Sequence, residues 1–117
     1  MKMWLSLLVL IILGLLTSCA QTNPHPMDMT QAVQNAKTPT DHTSLAKHYE
    51  DAAKEMRSKV QEHKKMLQEY ESNTSHFGRQ ALDLQAHCRN LINAYEQAVK
   101  ANMDMADSHR KMAADIK

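Results

Sequence analysis

The sequence predicts an all-α protein in which two long helices form an antiparallel, coiled-coil-like hairpin. The chain has 117 residues with two glycines and one phenylalanine, so residues that favour tight turns and β-sheets are scarce. After residue 44 the good helix formers Ala, Lys, Glu, Gln, Met and Leu are abundant. Apolar residues there recur every three or four positions, which is the period of one helix face. A chain of this length allows one small domain.

Residues 1–18 have the composition of an export signal. Lys2 supplies a short basic start, and residues 5–16 are almost entirely apolar. This apolar run is shorter than the roughly 20 residues of a membrane-spanning helix, and it has the length of the central region of a signal peptide. We therefore expect residues 1–18 to be removed during export.

The junction after this segment reads Leu16-Thr17-Ser18-Cys19. It resembles the lipobox of bacterial lipoproteins, in which a Leu and two small residues precede a Cys. The resemblance implies that Cys19 becomes the lipid-modified amino terminus, held on a membrane by several acyl chains. Because Ala20 rather than Asp follows Cys19, it also implies the periplasmic face of the outer membrane in a host with two membranes.

The mature chain is predicted to be electrically neutral. Residues 1–18 contain Lys2, one of the 14 basic residues, and none of the 13 acidic ones, so 13 of each remain. A neutral chain has no single-sign field to attract nucleic acid, and we expect none as a partner.

Residues 19–40 are predicted to form a flexible tether between the membrane and the hairpin. This stretch is polar and contains all three prolines of the chain. A coil of this length spans several nanometres, which is enough to clear the lipid head groups. A short helix around Met29–Ala36 is weakly indicated within it. Residues 41–117 then form the helical hairpin.

The first long helix is predicted at about 40–72, followed by a loop at 73–79 and a second helix at about 80–116. Thr38, Pro39 and Asp41 have the pattern of a helix start, with an N-cap, a proline at the first helical position and an acidic residue three positions after the cap. The apolar seam is predicted at Leu45, Tyr49, Ala52, Met56, Val60, His63, Leu67 and Tyr70 in the first helix, and at Leu84, Cys88, Leu91, Tyr95, Ala98, Asn102, Met105, His109, Met112 and Ile116 in the second.

The two predicted helices also repeat each other. Seven residues recur 46 positions later, which favours an internal duplication, although two helices with the same heptad chemistry would share some of these matches. The matching residues are Tyr49, Glu50, Ala52, Lys54, His63, Lys65 and Met66, which recur as Tyr95, Glu96, Ala98, Lys100, His109, Lys111 and Met112.

A hairpin this thin buries little apolar surface, so we expect it to associate with a partner. The simplest partner is a second copy, which would give a four-helix bundle; another envelope protein is the alternative. The predicted function is accordingly that of a structural or protein-interaction lipoprotein. Enzymatic activity is not expected, since the sequence has no Gly-rich phosphate loop, no GxSxG, no HExxH and no CxxC motif.

Metal binding is the alternative function, and no cofactor is expected without it. Antiparallel pairing around a turn near residues 75–76 brings His, Cys and Met side chains opposite each other, a set of donors that suits copper or zinc, and paired His could also ligate haem. His87 and Cys88 point about 100° apart, so only one of them can face the seam. The candidate ligands are His63 opposite His87 and Cys88, His48 opposite Met103, and His42 opposite His109.

Cys88 and the seam histidines raise two further expectations. Cys88 is the only thiol that remains after Cys19 is acylated, and it is either buried and inert or linked to a second chain. His63 and His109 lie at seam positions, where a protonated imidazole would be costly. Association is therefore expected to loosen below about pH 6.

Overall fold

The computed structural model describes residues 28–117. The predicted signal, Cys19 and the first part of the predicted tether lie outside this range. Within it the chain is all-α, without strands, and its two long helices pack against each other as an antiparallel hairpin, as predicted. The elements are α1 (Met29–Asn35), α2 (Pro39–Ser72), α3 (Thr74–Phe77), a 3₁₀ turn (Gly78–Gln80) and α4 (Ala81–Asp115).

α2 begins with the predicted capping box. The Thr38 hydroxyl accepts a hydrogen bond from the Asp41 N–H at 3.1 Å, and the Asp41 carboxylate accepts one from the Thr38 N–H at 2.9 Å. The Asp41 carboxylate also accepts the Lys37 N–H at 3.0 Å. These bonds hold the pKa of Asp41 below its usual value, the bond from Lys37 contributing most. Pro39 occupies the first helical position, where its missing N–H costs nothing.

The predicted loop at 73–79 is a compact pair of helical turns. α2 ends at Ser72, and the Asn73 N–H caps it by donating to the Glu69 carbonyl at 3.0 Å. α3 and the 3₁₀ turn then reverse the chain. Gly78 has φ of +57°, a conformation that a residue without Cβ adopts at no steric cost.

The core of the hairpin is small and rich in alanine. Ala53 of α2 and Ala106 of α4 are both completely buried, and their size lets the two helix backbones approach closely. Leu45 is the only large side chain of residues 28–117 with less than 2 % exposure. The buried residues are Leu45, Ala46, Ala53 and Val60 in α2, and Ala81, Gln85, Cys88, Ile92, Ala106 and His109 in α4.

The seam predicted for α4 is partly wrong, because the helix is rotated from the predicted orientation. Cys88 and His109 face α2 as predicted, but Ile92 is buried while Leu91 is 39 % exposed. In the same way Ala106 is buried while Met105 is 42 % exposed. Met112 and Ile116, also assigned to the seam, are 47 % and 36 % exposed.

Ion pairs between the helices contribute to this orientation of α4. Lys64 pairs with Glu96 at 3.0 Å, Arg89 pairs with Glu71 at 2.7 Å, and Arg110 pairs with Glu50. Residues 89, 96 and 110 lie on one flank of α4, and the rotation that brings them beside α2 turns the opposite flank outward. Each exposed pair adds little stability, but together they favour one orientation.

Candidate functional site

The hairpin has two faces of different chemistry. The polar face carries the three ion pairs between α2 and α4, formed by residues 50, 64 and 71 of α2 with residues 89, 96 and 110 of α4. The apolar face lies on the other side of the core. Its α4 part is a row of residues spaced by seven, and its α2 part is two residues spaced by fourteen. The apolar face consists of Leu84, Leu91, Ala98, Met105 and Met112 of α4, with Ala52 and Met66 of α2.

The α4 row is exposed enough to contact a partner. Leu91, Met105 and Met112 are 39 %, 42 % and 47 % exposed, while Leu84 and Ala98 are half-buried. Positions seven apart are about 10.5 Å apart along a helix, so the row runs for about 42 Å. The line that continues it on α2 carries one charged residue, Lys59. Such a long and nearly uncharged row is unusual on an isolated helix.

The first histidine site joins the open end of the hairpin. His42 of α2 and His109 of α4 lie with their Nδ1 atoms 3.0 Å apart, and their rings stack. Tyr49 stacks on the His109 ring with centroids 5.6 Å apart and planes 7° from parallel. His109 is 5 % exposed. Burial, and second the charge of His42, lower the pKa of His109 below its ordinary value of 6.5.

The second histidine site lies closer to the turn between the long helices. The Cys88 Sγ atom is 3.9 Å from His63 Nδ1, and Tyr95 stacks on the His63 ring with centroids 5.6 Å apart. Cys88 is buried and free, and burial raises the pKa of its thiol. The thiol therefore stays protonated at neutral pH, and its burial matches the inert alternative of the two predicted for it.

The structure brings two of the predicted residue pairs together. His63 meets Cys88, and His42 meets His109, as antiparallel pairing around the turn predicts. His87 is exposed, so Cys88 is the member of that neighbouring pair that faces the seam.

The third predicted pair is His48 with Met103, and both residues are half-buried. The His48 ring packs edge-on against its neighbour Tyr49 with centroids 5.6 Å apart. His42 and His63 are about 31 Å apart along α2, so the two histidine sites are separate. Within residues 28–117, no three His, Cys, Asp or Glu side chains are grouped so that they could hold a metal ion.

Comparisons with known protein families, curated proteins and solved structures find no match to this chain. In the part of the chain that the structure covers, no helix combines the length and apolar character that crossing a membrane requires. Cys19, the predicted lipid attachment site, lies outside that part.

Proposed function

We propose that this protein is a lipid-anchored envelope protein that acts as a structural or interaction module, and that it associates with a second copy of itself through the apolar face. The observation that carries the proposal is the row of exposed apolar residues spaced by seven on α4. This spacing matches the repeat with which helices pack against one another in coiled coils and bundles.

The size of the apolar face suits a stable dimer. Helices of 34 and 35 residues are each about 51 Å long. Two helices side by side are about 20 Å wide, so two hairpins would bury on the order of 2,000 Å² in total, the upper range of a standard protein interface. A two-fold dimer brings the same apolar face together from both copies, which matches apolar surface with apolar surface. The product is a four-helix bundle.

The hairpin would also gain stability from such a partner. The buried core of residues 28–117 contains four alanines, and few large side chains contribute to it. Small scaffolds with little buried apolar surface are only marginally stable on their own. Packing two hairpins would bury the parts of Leu91 and Met105 that are still exposed, 39 % and 42 % of each residue. Each would then contribute about 0.6–1.2 kcal/mol, since burying such a side chain completely contributes about 1.5–3 kcal/mol.

The proposed anchor at Cys19 favours the same association. Lipid attachment confines copies to one membrane surface and so raises their effective concentration. The polar residues that follow Cys19 allow neighbouring hairpins to find each other without strain in the tether. The periplasmic face of an outer membrane is the proposed location.

Charging the apolar face tests the self-association. The variant Leu91→Glu with Met105→Glu places four carboxylates in the interface of a dimer, and we expect the dimer dissociation constant to rise by on the order of 100-fold or more. Sedimentation equilibrium of the full chain in detergent micelles measures it. The matched control is Leu82→Glu with Gln97→Glu, which adds the same charge at exposed positions of α4 outside the apolar face.

The control variant should dimerise like the original chain. An original chain that stays monomeric at tens of micromolar would overturn the proposed dimer. So would a Leu91→Glu, Met105→Glu variant that dimerises with an unchanged dissociation constant.

A separate experiment tests the lipid anchor. Cells that express the Cys19→Ser variant are grown with a labelled fatty acid. We expect no label in the protein, because serine lacks the thiol that accepts the lipid. The unprocessed precursor should accumulate. Cys88→Ser is the matched control and should be labelled normally. Label in Cys19→Ser, or normal processing of it, would contradict the anchor.

A further inference from the structure

The 46-residue repeat reappears in the contacts between the two helices. Tyr49 of α2 stacks on His109 of α4 at 5.6 Å, and Tyr95 of α4 stacks on His63 of α2 at 5.6 Å. Tyr95 is the repeat of Tyr49, and His109 is the repeat of His63. Exchanging the two helices thus converts one contact into the other.

An ion pair of the polar face obeys the same exchange. Glu50 pairs with Arg110, and the residues 46 positions after Glu50 and before Arg110 are Glu96 and Lys64, which form the second pair. Two antiparallel helices whose contacts are exchanged in this way are related by an approximate two-fold axis perpendicular to them. The hairpin therefore has the contacts expected of a duplicated helix paired with its own copy.

The histidine sites are equivalent under this axis but differ in one residue. The contact of His42 with His109 corresponds to the contact of Cys88 with His63. Position 88 is the repeat of position 42, and it holds Cys where position 42 holds His. One site thus pairs two imidazoles, and the other pairs an imidazole with a thiol.

Protonation has different consequences at the two histidine sites. In the neutral His42–His109 pair one Nδ1–H donates a hydrogen bond and the other Nδ1 accepts it. A first extra proton on an Nε2 leaves that bond in place, but a second gives both Nδ1 atoms a hydrogen and places two positive charges side by side. At the second site a protonated His63 still donates to the Cys88 sulfur, and a single charge results.

Charged groups lie around the first histidine site on both helices. On α2, the Asp41 carboxylate lies beside His42 and interacts favourably with its charge. On α4, Arg110 follows His109, with its charge shared between Glu50 and Asp107. The Tyr49 ring covers His109. α1 itself contains no charged residue.

We propose that the His42–His109 pair is an acid-sensitive latch that closes the open end of the hairpin, and that its two-fold equivalent at His63 and Cys88 is a version of the same site that acid does not open. The first site lies where α2 begins and α4 ends, and no turn joins the helices there. The second lies about 31 Å closer to the turn. Loss of the first contact therefore frees the last turns of α4. All of these contacts lie within one chain, so the latch does not depend on the dimer.

The sign of the pH effect follows from the burial of His109. Its pKa is lowered in the folded chain, so the unfolded or opened chain binds more protons below pH 6.5. The latch is fully closed above about pH 6.5 and weakens as the pH falls below that value. One unit of difference in pKa corresponds to about a tenfold change in the opening equilibrium.

Exchanging the residues at positions 42 and 88 tests the latch. The measurement is hydrogen exchange of the backbone amides of residues 106–115 at pH 7.5 and pH 5, in the full chain in reducing detergent solution, corrected for the intrinsic effect of pH. We expect their protection to fall severalfold at pH 5 in the original chain, because the lowered pKa of His109 favours the opened state in acid. His42→Cys copies the second site into the first and should reduce this fall, because it removes the second imidazole while His109 stays buried. His42→Asn, which keeps a hydrogen-bonding side chain that does not titrate, should do the same.

The reverse exchange should create a second latch. Cys88→His copies the first site into the second, and we expect the unfolding constant in urea to rise severalfold more between pH 7.5 and pH 5 than in the original chain. An undiminished fall in protection in both His42 variants would overturn the proposal. A folded Cys88→His variant with the original pH dependence would overturn the equivalence of the sites. The His42 variants decide the matter if Cys88→His does not fold.

Discussion

Replacing Leu45 by Ala is expected to lower the free energy of unfolding by about 2–5 kcal/mol, the range found for buried leucines. Leu45 is 1 % exposed and is the largest fully buried side chain of residues 28–117. A domain with so small a core has a total stability of only about 3–5 kcal/mol. The variant should therefore lose a large part of its stability, and loss of helical circular dichroism on heating measures this.

Leu82→Ala is the matched control for this change. Leu82 is 73 % exposed, so the same truncation removes little buried surface and should change stability by less than about 0.5 kcal/mol. Equal melting temperatures for the two variants would show that Leu45 does not contribute to the core as its burial indicates.

Replacing Ala106 by Glu is expected to separate α4 from α2. Ala106 has no exposed surface, so a glutamate must either bury an unpaired carboxylate or force the helices apart. An unpaired buried charge costs about 3 kcal/mol or more. Urea unfolding followed by circular dichroism measures the loss. Helix propensity contributes only a few tenths of a kcal/mol, since Glu is itself a good helix former.

Ala101→Glu separates the effect of burial from that of the substitution itself. Ala101 lies in the same helix but is exposed, so its variant should keep nearly the full stability. If Ala106→Glu proved as stable as Ala101→Glu, the conclusion that Ala106 is buried between the two helices would be wrong.

Much of the fold follows from local signals in the sequence. The start of α2 depends on Thr38, Pro39 and Asp41, whose hydrogen bonds lie within one helical turn. The pairing of the long helices could also be predicted, because a short turn fixes which residues lie opposite each other. The contacts of His63 with Cys88 and of His42 with His109 follow from that register alone.

The rotation of α4 could not be predicted in the same way. This helix carries one more line of apolar residues than a two-helix hairpin can cover, and periodicity alone does not decide which line is left outside. Ile92 or Leu91 could fill the same place in the core. Contacts between distant charges, such as Lys64 with Glu96, contribute to the choice. The presence of this extra line of apolar residues on α4 was the feature of the sequence from which the apolar face could have been predicted.

α1 is the other element that the sequence indicates only weakly. It forms in the described part of the predicted tether and is capped by the Asp28 carboxylate, which accepts the Gln31 N–H at 3.2 Å. A helix of seven residues is marginal by itself, and its formation depends on packing against α2. Such tertiary contributions leave no periodic pattern in so short a segment.

The antiparallel pairing of two helices of nearly equal length has an electrostatic consequence for encounters between copies. The dipoles of α2 and α4 oppose each other, and residues 28–117 carry 13 basic and 13 acidic side chains, so the field far from the hairpin is weak. Attraction over long distances therefore contributes little to association, whose rate should be in the unsteered range of about 10⁵–10⁶ M⁻¹s⁻¹ and nearly independent of salt. Acid changes this balance, because protonated histidines give every copy the same positive sign and copies then repel one another before they touch.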